Sequence, residues 1–457
     1  YTSPHLEHVN ERIAIDGQQL SDDDFVDTWD QIKDLVAMVD MKMGELDKPK
    51  MSFFEVLTAM AIWKFADAPV DVAIVEVGMG GRWDATNVLD ADAAIIGPID
   101  MDHMAWLGNT VEQIASEKVG IIKPGCTAVI GRQPHEEAVM PIIEEAAAEN
   151  HANLVRDGIE AEVVTRIPAV GGQVVTLRTP NGTYAEVPVA KFGEHQAHNA
   201  LAALCAAEVV IPVNGALDGD LVAEALSTVR IPGRIEQIRT SPTIILDGGH
   251  NVNAAESLRA AIEENYDFQQ LVGVIAMMGD KQVEEYLGVL EPLLSHVIVT
   301  ENSWRDRVMP AEDLKTVAER VFGAERVTCV PELPDAIQEA VNMVDADDEL
   351  GVGYGHGVLI CGSFTTAGDA RLMLEEKVNP DLKKPKSERV FQTAVEPEPR
   401  KDQDEADLDF ESDANPDFDI NDFGSVGPDL AEDEDTDGSE DAANTEHADD
   451  ASSDDVR

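Results

Sequence analysis

The chain reads as an α/β protein, built from two open, mostly parallel sheets with helices on their faces, a small antiparallel insert and an acidic tail. Three observations carry that expectation. Apolar runs of strand length alternate with amphipathic helical patterns over most of the chain. The alternation breaks once, at about residues 154–189, where short strand patterns are separated by Gly-Gly and Asn-Gly turns. From about Asn379 onward, apolar residues give way to Asp, Glu, Pro and Ser.

VDVAIVEV (residues 70–77), AAIIGPI (93–99) and TAVIG (127–131) have the near-continuous Val/Ile/Ala character of parallel strands buried on both faces, and so do TIILDGG, LVGVIAMMG, HVIVT and HGVLICG further on. Residues 110–119 read as a helix, with Thr110 and Gln113 in capping-box spacing. VVTRI, QVVTLRT and TYAEVPV form the antiparallel insert, and a helical stretch then runs from His195 to about Arg230. Ile231-Pro232-Gly233-Arg234 is a hinge between two units. The expected domains are therefore 1–232, with the insert inside it, and 233–378, followed by a tail at 379–457.

Among 457 residues, 44% are hydrophobic and 5% aromatic, which fits an aliphatic core in a soluble protein. No run is long and apolar enough to cross a membrane, and the polar first fifteen residues form no secretory signal. The first residue is Tyr, so a missing beginning is expected. Cys126, Cys205, Cys329 and Cys361 lie far apart, which points to unpaired thiols in a reducing cytoplasm rather than disulfides or zinc. The net charge of −57 disfavours binding to nucleic acid or an anionic membrane. From Lys401 onward there are 23 acidic and 2 basic residues, a composition that cannot offset its ordering entropy, so a disordered solvating tail is expected. An anionic substrate would need a locally basic pocket.

The richest segment is Glu76-Val77-Gly78-Met79-Gly80-Gly81-Arg82-Trp83-Asp84-Ala85-Thr86-Asn87, after the most apolar strand pattern. Ligands of parallel sheets bind beyond the strands' carboxyl ends, where Glu76 suits Mg²⁺ and the glycines let backbone N–H groups approach an anion. Trp83 stands where a dinucleotide fingerprint needs its last glycine. The competing reading of this segment is an ordinary strand–turn with a solvent-exposed Glu76, and a loop at this sheet edge favours the functional one. Asp100-Met101-Asp102-His103 follows the next strand and could bring His103 to the same crevice, although a lone histidine is more often structural. Lys118 has a solvated surface as its default. Asp247-Gly248-Gly249-His250-Asn251, after TIIL, suits ribose or phosphate at a helix start. His195 and His198 are three apart on a helix with no cysteine near, which argues against metal there.

In order along the chain, YTSPHLEHVNERIAIDGQ, MSFFEVLTAMAIWKFA, EVGMGGRWDATNVLD, IDMDHMAWLGNTVEQIASEKVGIIKPG, HQAHNALAA, IPGRIE and LDGGHN resemble the folylpolyglutamate synthase family, of the Mur ligase type, over residues 1 to about 378. The resemblance implies a Mur ligase-like nucleotide domain and a C-terminal Rossmann-like domain with the active site between them. It implies an ATP-dependent ligase that adds L-glutamate to dihydropteroate, to folates or to both. A substrate carboxylate attacks the γ-phosphate of ATP, and glutamate's amino group displaces phosphate from the acyl phosphate. Carried over by position, Glu76, His103 and Ser3 bind Mg²⁺, and Lys118 is the lysine that relatives carry as a metal-holding carbamate. Asn199 contacts adenine, Arg234 the phosphates, and Asp247, His250 and Asn251 the ribose side. Phe54, Arg82 and Asp84 surround the pterin-bearing substrate. ATP and Mg²⁺ are the implied cofactors, with K⁺ or another monovalent cation as an addition, in a cytoplasmic monomer.

The sequence departs from the family pattern in four places. Met79 and Trp83 replace leucines, Gly249 replaces an alanine, and no GTNGKGS-like phosphate loop occurs in the chain. The expectation is an N-terminally truncated sequence that by itself turns over little. The competing reading is a catalytically silent Mur-ligase-like binding protein.

Overall fold

The computed structural model describes residues 1–213, 215–346 and 355–378, so the tail expected to be disordered lies outside the described residues. The first lobe opens with a two-stranded ribbon, β1 (Ala14–Ile15) and β2 (Gln18–Gln19), then α1 (Asp22–Glu45) and α2 (Phe53–Asp67). Serines start both helices. Ser21 accepts from the Asp24 N–H, and Ser52 exchanges bonds with Glu55, which satisfies first-turn N–H groups that lack helical partners. The two helices share a core of Ile32, Val36, Leu57, Met60 and Ala61.

A three-stranded parallel sheet follows, in the order β3 (Ala93–Ile96), β4 (Thr127–Ile130), β5 (Asn153–Arg156). The strand pattern at 93–99 ends early because Pro98 has no N–H to give a ladder. After β3 come the short helix α3 (Met104–Leu107), α4 (Val111–Lys118) and, past β4, α5 (Glu136–Glu149). The pleat of β4 sends alternate side chains to opposite faces. Ala128 and Ile130 join Ile114, Ala115, Val139 and Ile143 of α4 and α5. Val129 joins Ala197, Leu201 and Leu204 of α6 (Glu194–Val210). Each such fully buried Leu or Ile contributes about 1.5–3 kcal/mol. Thr110 caps α4 as its spacing predicts, but Gln113 reaches back to the Asn109 N–H, one residue earlier than in a full capping box.

The insert is an antiparallel sheet of β6 (Glu162–Ala169), β7 (Gly172–Arg178) and β8 (Thr183–Val189), with α7 (Gly219–Thr228) after α6. It is fixed to α6 by the buried Glu208, whose carboxylate accepts from Tyr184 Oη at 2.6 Å, Thr179 Oγ1 at 3.0 Å and Asn181 Nδ2 at 3.1 Å.

The second lobe has β9 (Glu236–Thr240), β10 (Thr243–Leu246), α8 (Val252–Asn265), β11 (Gln270–Ile275), α9 (Val283–Leu290), β12 (His296–Glu301), α10 (Ala311–Phe322), β13 (Val327–Glu332), α11 (Leu333–Ala346), β14 (His356–Cys361) and α12 (Phe364–Val378). Its strand order is β13-β12-β11-β14-β10-β9, all parallel except β9. From β10 to β13 the chain steps in one direction with α8, α9 and α10 on one face. It then returns to β14 with α11 and α12 on the other. Right-handed crossovers require that change of face when the direction reverses.

One expected strand is absent. Residues 70–77 form no sheet strand, with Ile74 81% and Val72 39% exposed. Their register is held instead by the first residues of the chain, through the Glu76 N–H donating to the Tyr1 carbonyl at 2.9 Å. An apolar run becomes a buried strand only where a layer covers it, and none of the described residues buries Ile74.

His198 on α6 lies 2.5 Å from Asp157, just past β5, and that hydrogen bond raises the imidazole above its ordinary value. A raised folded value means that the proton is held more tightly in the folded state. The pair's stabilisation is therefore complete below about pH 6.5 and lost as the pH rises through the folded value. His198→Gln should remove this pH dependence, as read from urea unfolding at pH 5.5 and 8.5. Parallel pH curves for variant and parent would refute it.

Candidate active site

Ser3 and Glu76 meet first. The Ser3 N–H donates to Glu76 Oε2 at 2.8 Å. Burial pushes the Glu76 carboxyl up, against the opposing pull of that N–H and of Arg234 and Arg12. The rest of the glycine-rich loop is clamped to the end of α4. The Arg82 N–H donates to the Glu117 carbonyl at 2.9 Å and Arg82 Nη2 to the Ser116 carbonyl at 3.2 Å. A Cβ on Gly81 would lie 2.8 Å from the Glu117 carbonyl and 2.9 Å from that of Lys118, so only glycine permits this approach. Phe54 covers Gly78, where a Cβ would meet its ring at 2.4 Å. Asp84 folds the loop on itself, accepting from the Met79 N–H at 2.9 Å and the Thr86 N–H at 3.0 Å.

The clamp sets the position of Lys118, the last residue of α4. Lys118 is half-buried rather than fully solvated, and burial lowers its ammonium, while the Asp102 carboxylate pulls it back up. His103 caps α3 in the left-handed region at φ 51°. Burial lowers its imidazole, Asp102 raises it, and Lys281, His250 and Lys118 lower it further.

On the second lobe, Asp247 is buried and its carboxylate serves the backbone. Oδ1 accepts from the Gly249 N–H at 2.8 Å and Oδ2 from the Ile235 N–H at 3.0 Å. It thereby ties the hinge to the β10–α8 turn, and burial pushes it upward. Arg234 lies over the Phe364 ring at 5.2 Å. Asn251 caps α8, accepting from the Ala254 N–H at 2.9 Å, and its Nδ2 donates to Asp102 at 3.2 Å. Asn199 is exposed on α6, its side-chain amide 3.4 Å from Gln196 of the same helix.

The structure thus joins Ser3 to Glu76, Phe54, Arg82 and Asp84 to the loop, and His103 to His250 and Asn251 through Asp102. Asn199 stands apart from those contacts. Asp102 and Lys281 went unassigned in the sequence reading. Asp102 directly precedes the more conspicuous His103, and Lys281 follows β11 at the carboxyl edge of the sheet.

The chemistry of the donors can be tested against Mg²⁺. Among the described residues no group of three or more His, Cys, Asp or Glu is gathered for a metal. Glu76, His103 and the Ser3 hydroxyl are fewer donors than a protein cage provides. Mg²⁺ is content with that number, since it keeps waters and takes substrate phosphates. An unmodified Lys118 ammonium cannot ligate. By donor type, these residues suit a metal that is shared with a phosphate.

Comparison with known proteins agrees with the architecture. The Mur ligase middle domain matches residues 29–207, and the Mur ligase glutamate ligase domain matches residues 233–364. The chain is 43% identical over 388 residues to the dihydrofolate synthase/folylpolyglutamate synthase of Mycobacterium tuberculosis, covering 81% of this chain and 79% of that one. M. tuberculosis folylpolyglutamate synthase complexed with ADP superposes with a TM-score of 0.77 at 43% identity, over 82% of this chain and 83% of that one. Escherichia coli FolC in complex with DHPP and ADP gives a TM-score of 0.69 at 27% identity, over 83% and 82% of the two chains. With two ordered Mur ligase matches and a relative of this identity over most of both lengths, the chain belongs to the dihydrofolate synthase/folylpolyglutamate synthase family.

Proposed function

We propose that this protein is an ATP-dependent ligase that forms an amide between L-glutamate and dihydropteroate, or extends the γ-carboxylate of folates, or does both. The observation that carries the proposal is the electrostatic continuity of the seam between the lobes. Across it, Asp102 accepts from Lys281 Nζ at 3.0 Å and from Asn251 Nδ2 at 3.2 Å, and lies 3.6 Å from His250 Nε2. In a chain of net charge −57, Arg234 and Lys281 supply positive charge at this seam, as anionic substrates require. The two domains in this reading are 1–232 and 233–378.

In the reaction, a substrate carboxylate oxygen attacks the γ-phosphorus of ATP and ADP leaves, giving an acyl phosphate. The neutral amino group of glutamate then adds to the acyl carbon. The tetrahedral adduct expels phosphate as the amide forms, so each bond consumes one ATP and releases ADP and phosphate. Bound Mg²⁺ supplies positive charge to the phosphates during transfer. Glu76, His103 and Ser3 would hold it, and K⁺ or another monovalent cation would be an additional cofactor. Arg234 faces the phosphates, Asn199 the adenine, and His250 and Asn251 the ribose side, on a turn that Asp247 fixes. Phe54, Arg82 and Asp84 line the pterin side. The downward pull of burial on Lys118 favours its neutral amine, the form that reacts with carbon dioxide, and the carbamate replaces a cation by an anion able to hold the metal.

A cytoplasmic monomer fits the free thiols at Cys126, Cys205, Cys329 and Cys361. Among the described residues no helix is long and apolar enough to span a bilayer.

Full-length protein should release ADP only when ATP, Mg²⁺, L-glutamate and a pteroyl substrate are all present. A silent binding protein would instead bind nucleotide or folate without releasing ADP. Glu76→Ala and His103→Ala should each lower kcat/KM by about a hundredfold or more, and unchanged turnover in either would remove its proposed role. Gly81→Ala, which forces a Cβ onto two backbone carbonyls of α4, should cost about 1–3 kcal/mol. It should also lower turnover by displacing Lys118. The checks are thermal denaturation and the same ADP assay, and an undiminished Tm would argue against the clamp.

A further inference from the structure

Asp102 holds more partners than any role assigned above requires. Its Oδ1 accepts the His103 N–H at 2.8 Å and Lys281 Nζ at 3.0 Å. Its Oδ2 accepts Asn251 Nδ2 at 3.2 Å and lies 3.6 Å from His250 Nε2. Three of the four partners belong to the second lobe. They come from two loops at the carboxyl edge of its sheet, after β10 and after β11. Lys281 is largely withdrawn from water, its side chain 12% exposed, so its ammonium depends on Asp102 to offset lost hydration. Although burial works against it, these partners hold the Asp102 carboxyl well below the usual range.

The orientation of Asn251 is independently fixed. Its Oδ1 is committed to capping α8 through the Ala254 N–H, which leaves Nδ2 to face Asp102. The donors on the second lobe are therefore set by that lobe's own secondary structure. On the other side, His103 occupies the left-handed region at φ 51°, uncommon for a residue with a Cβ and maintained only where its surroundings impose it. By accepting the His103 N–H, Asp102 fixes the peptide plane that leads into His103, and Lys281 and Asn251 fix where the Asp102 carboxylate lies.

We propose that Asp102 and Lys281 are a positioning pair that carries the placement of the second lobe into the backbone conformation of His103. His103 then faces the site only while the lobes are engaged. The importance of that placement for turnover rests on the ligase reading, whereas the coupling itself does not. In a ligase with an acyl phosphate intermediate, such coupling delays assembly of the metal side of the site until the lobes have closed and water is excluded.

The test measures hydrogen–deuterium exchange of the backbone at residues 100–108 in nucleotide-free, full-length protein, alongside glutamate-dependent ADP formation. Lys281→Met should accelerate exchange at 100–108 about tenfold while β11, β12 and β14 keep their protection. Lys281→Arg should restore slow exchange. Asp102→Asn should match Lys281→Met, and the double variant should be no worse than either single one, as coupled residues require. In the assay kcat should fall about tenfold in Lys281→Met, with the KM for the pteroyl substrate unchanged. Exchange at 100–108 equal to that of the parent would overturn the proposal. So would acceleration spread evenly over both lobes, which would mark the pair as an ordinary stabilising bridge. If the parent protein forms no glutamate-dependent ADP yet Lys281→Met still frees residues 100–108, the ligase reading fails and the positioning pair stands.

Discussion

The carboxylate of Asp247 is only 6% exposed and accepts two backbone N–H groups, one from the hinge at Ile235 and one from the β10–α8 turn at Gly249. Buried charge is tolerated where such donors surround it, and removing it would leave those N–H groups without acceptors. The turn it fixes presents His250 and Asn251 at the head of α8. Those residues reach Asp102 of the first lobe, and Asp102 in turn sets His103. Each later step in the seam depends on this first one. An unassisted helix start could adopt several approach angles, whereas one tied to both hinge and sheet has a single approach.

The opposite wall is organised by close packing. Gly78 lies under Phe54, Gly81 lies on the terminal carbonyls of α4, and a Cβ on Gly120 would meet the Arg82 backbone at 2.5 Å. The glycines thus let two backbone segments touch, and the contact passes the position of Lys118 to the loop that begins at Glu76. One wall is held by a carboxylate and backbone donors, the other by steric fit. Their junction is where cationic groups accumulate in an otherwise acidic molecule.

The sequence was most informative where the physics is local. β10, β11, β12 and β14 are apolar runs covered on both faces, and the Gly-Gly and Asn-Gly turns of the insert select antiparallel hairpins by backbone geometry alone. The run at 70–77 has the same apolar composition, but burial depends on what lies over a strand, which its own residues do not encode. The partners of Asp102 were hidden for a related reason. Asn251 and Lys281 are 149 and 179 residues away, and no periodicity connects positions so far apart. Glu76, His103 and Lys118 stood out through motif resemblance rather than spacing. The local duties of Asp84 and Asp247 toward their own backbones became visible only with coordinates.

The strand order of the second sheet has a consequence for how the protein is made. β14 lies between β10 and β11, so on their facing sides Leu246 pairs with Ile360 and Ile275 with Cys361. A ribosome delivers β10 and β11 well before the strand that separates them. Until then, two apolar edges that belong on either side of a gap are exposed side by side and free to pair wrongly with each other or with another nascent chain. Sheet completion therefore has to wait until β14, the last strand of the lobe, has been made.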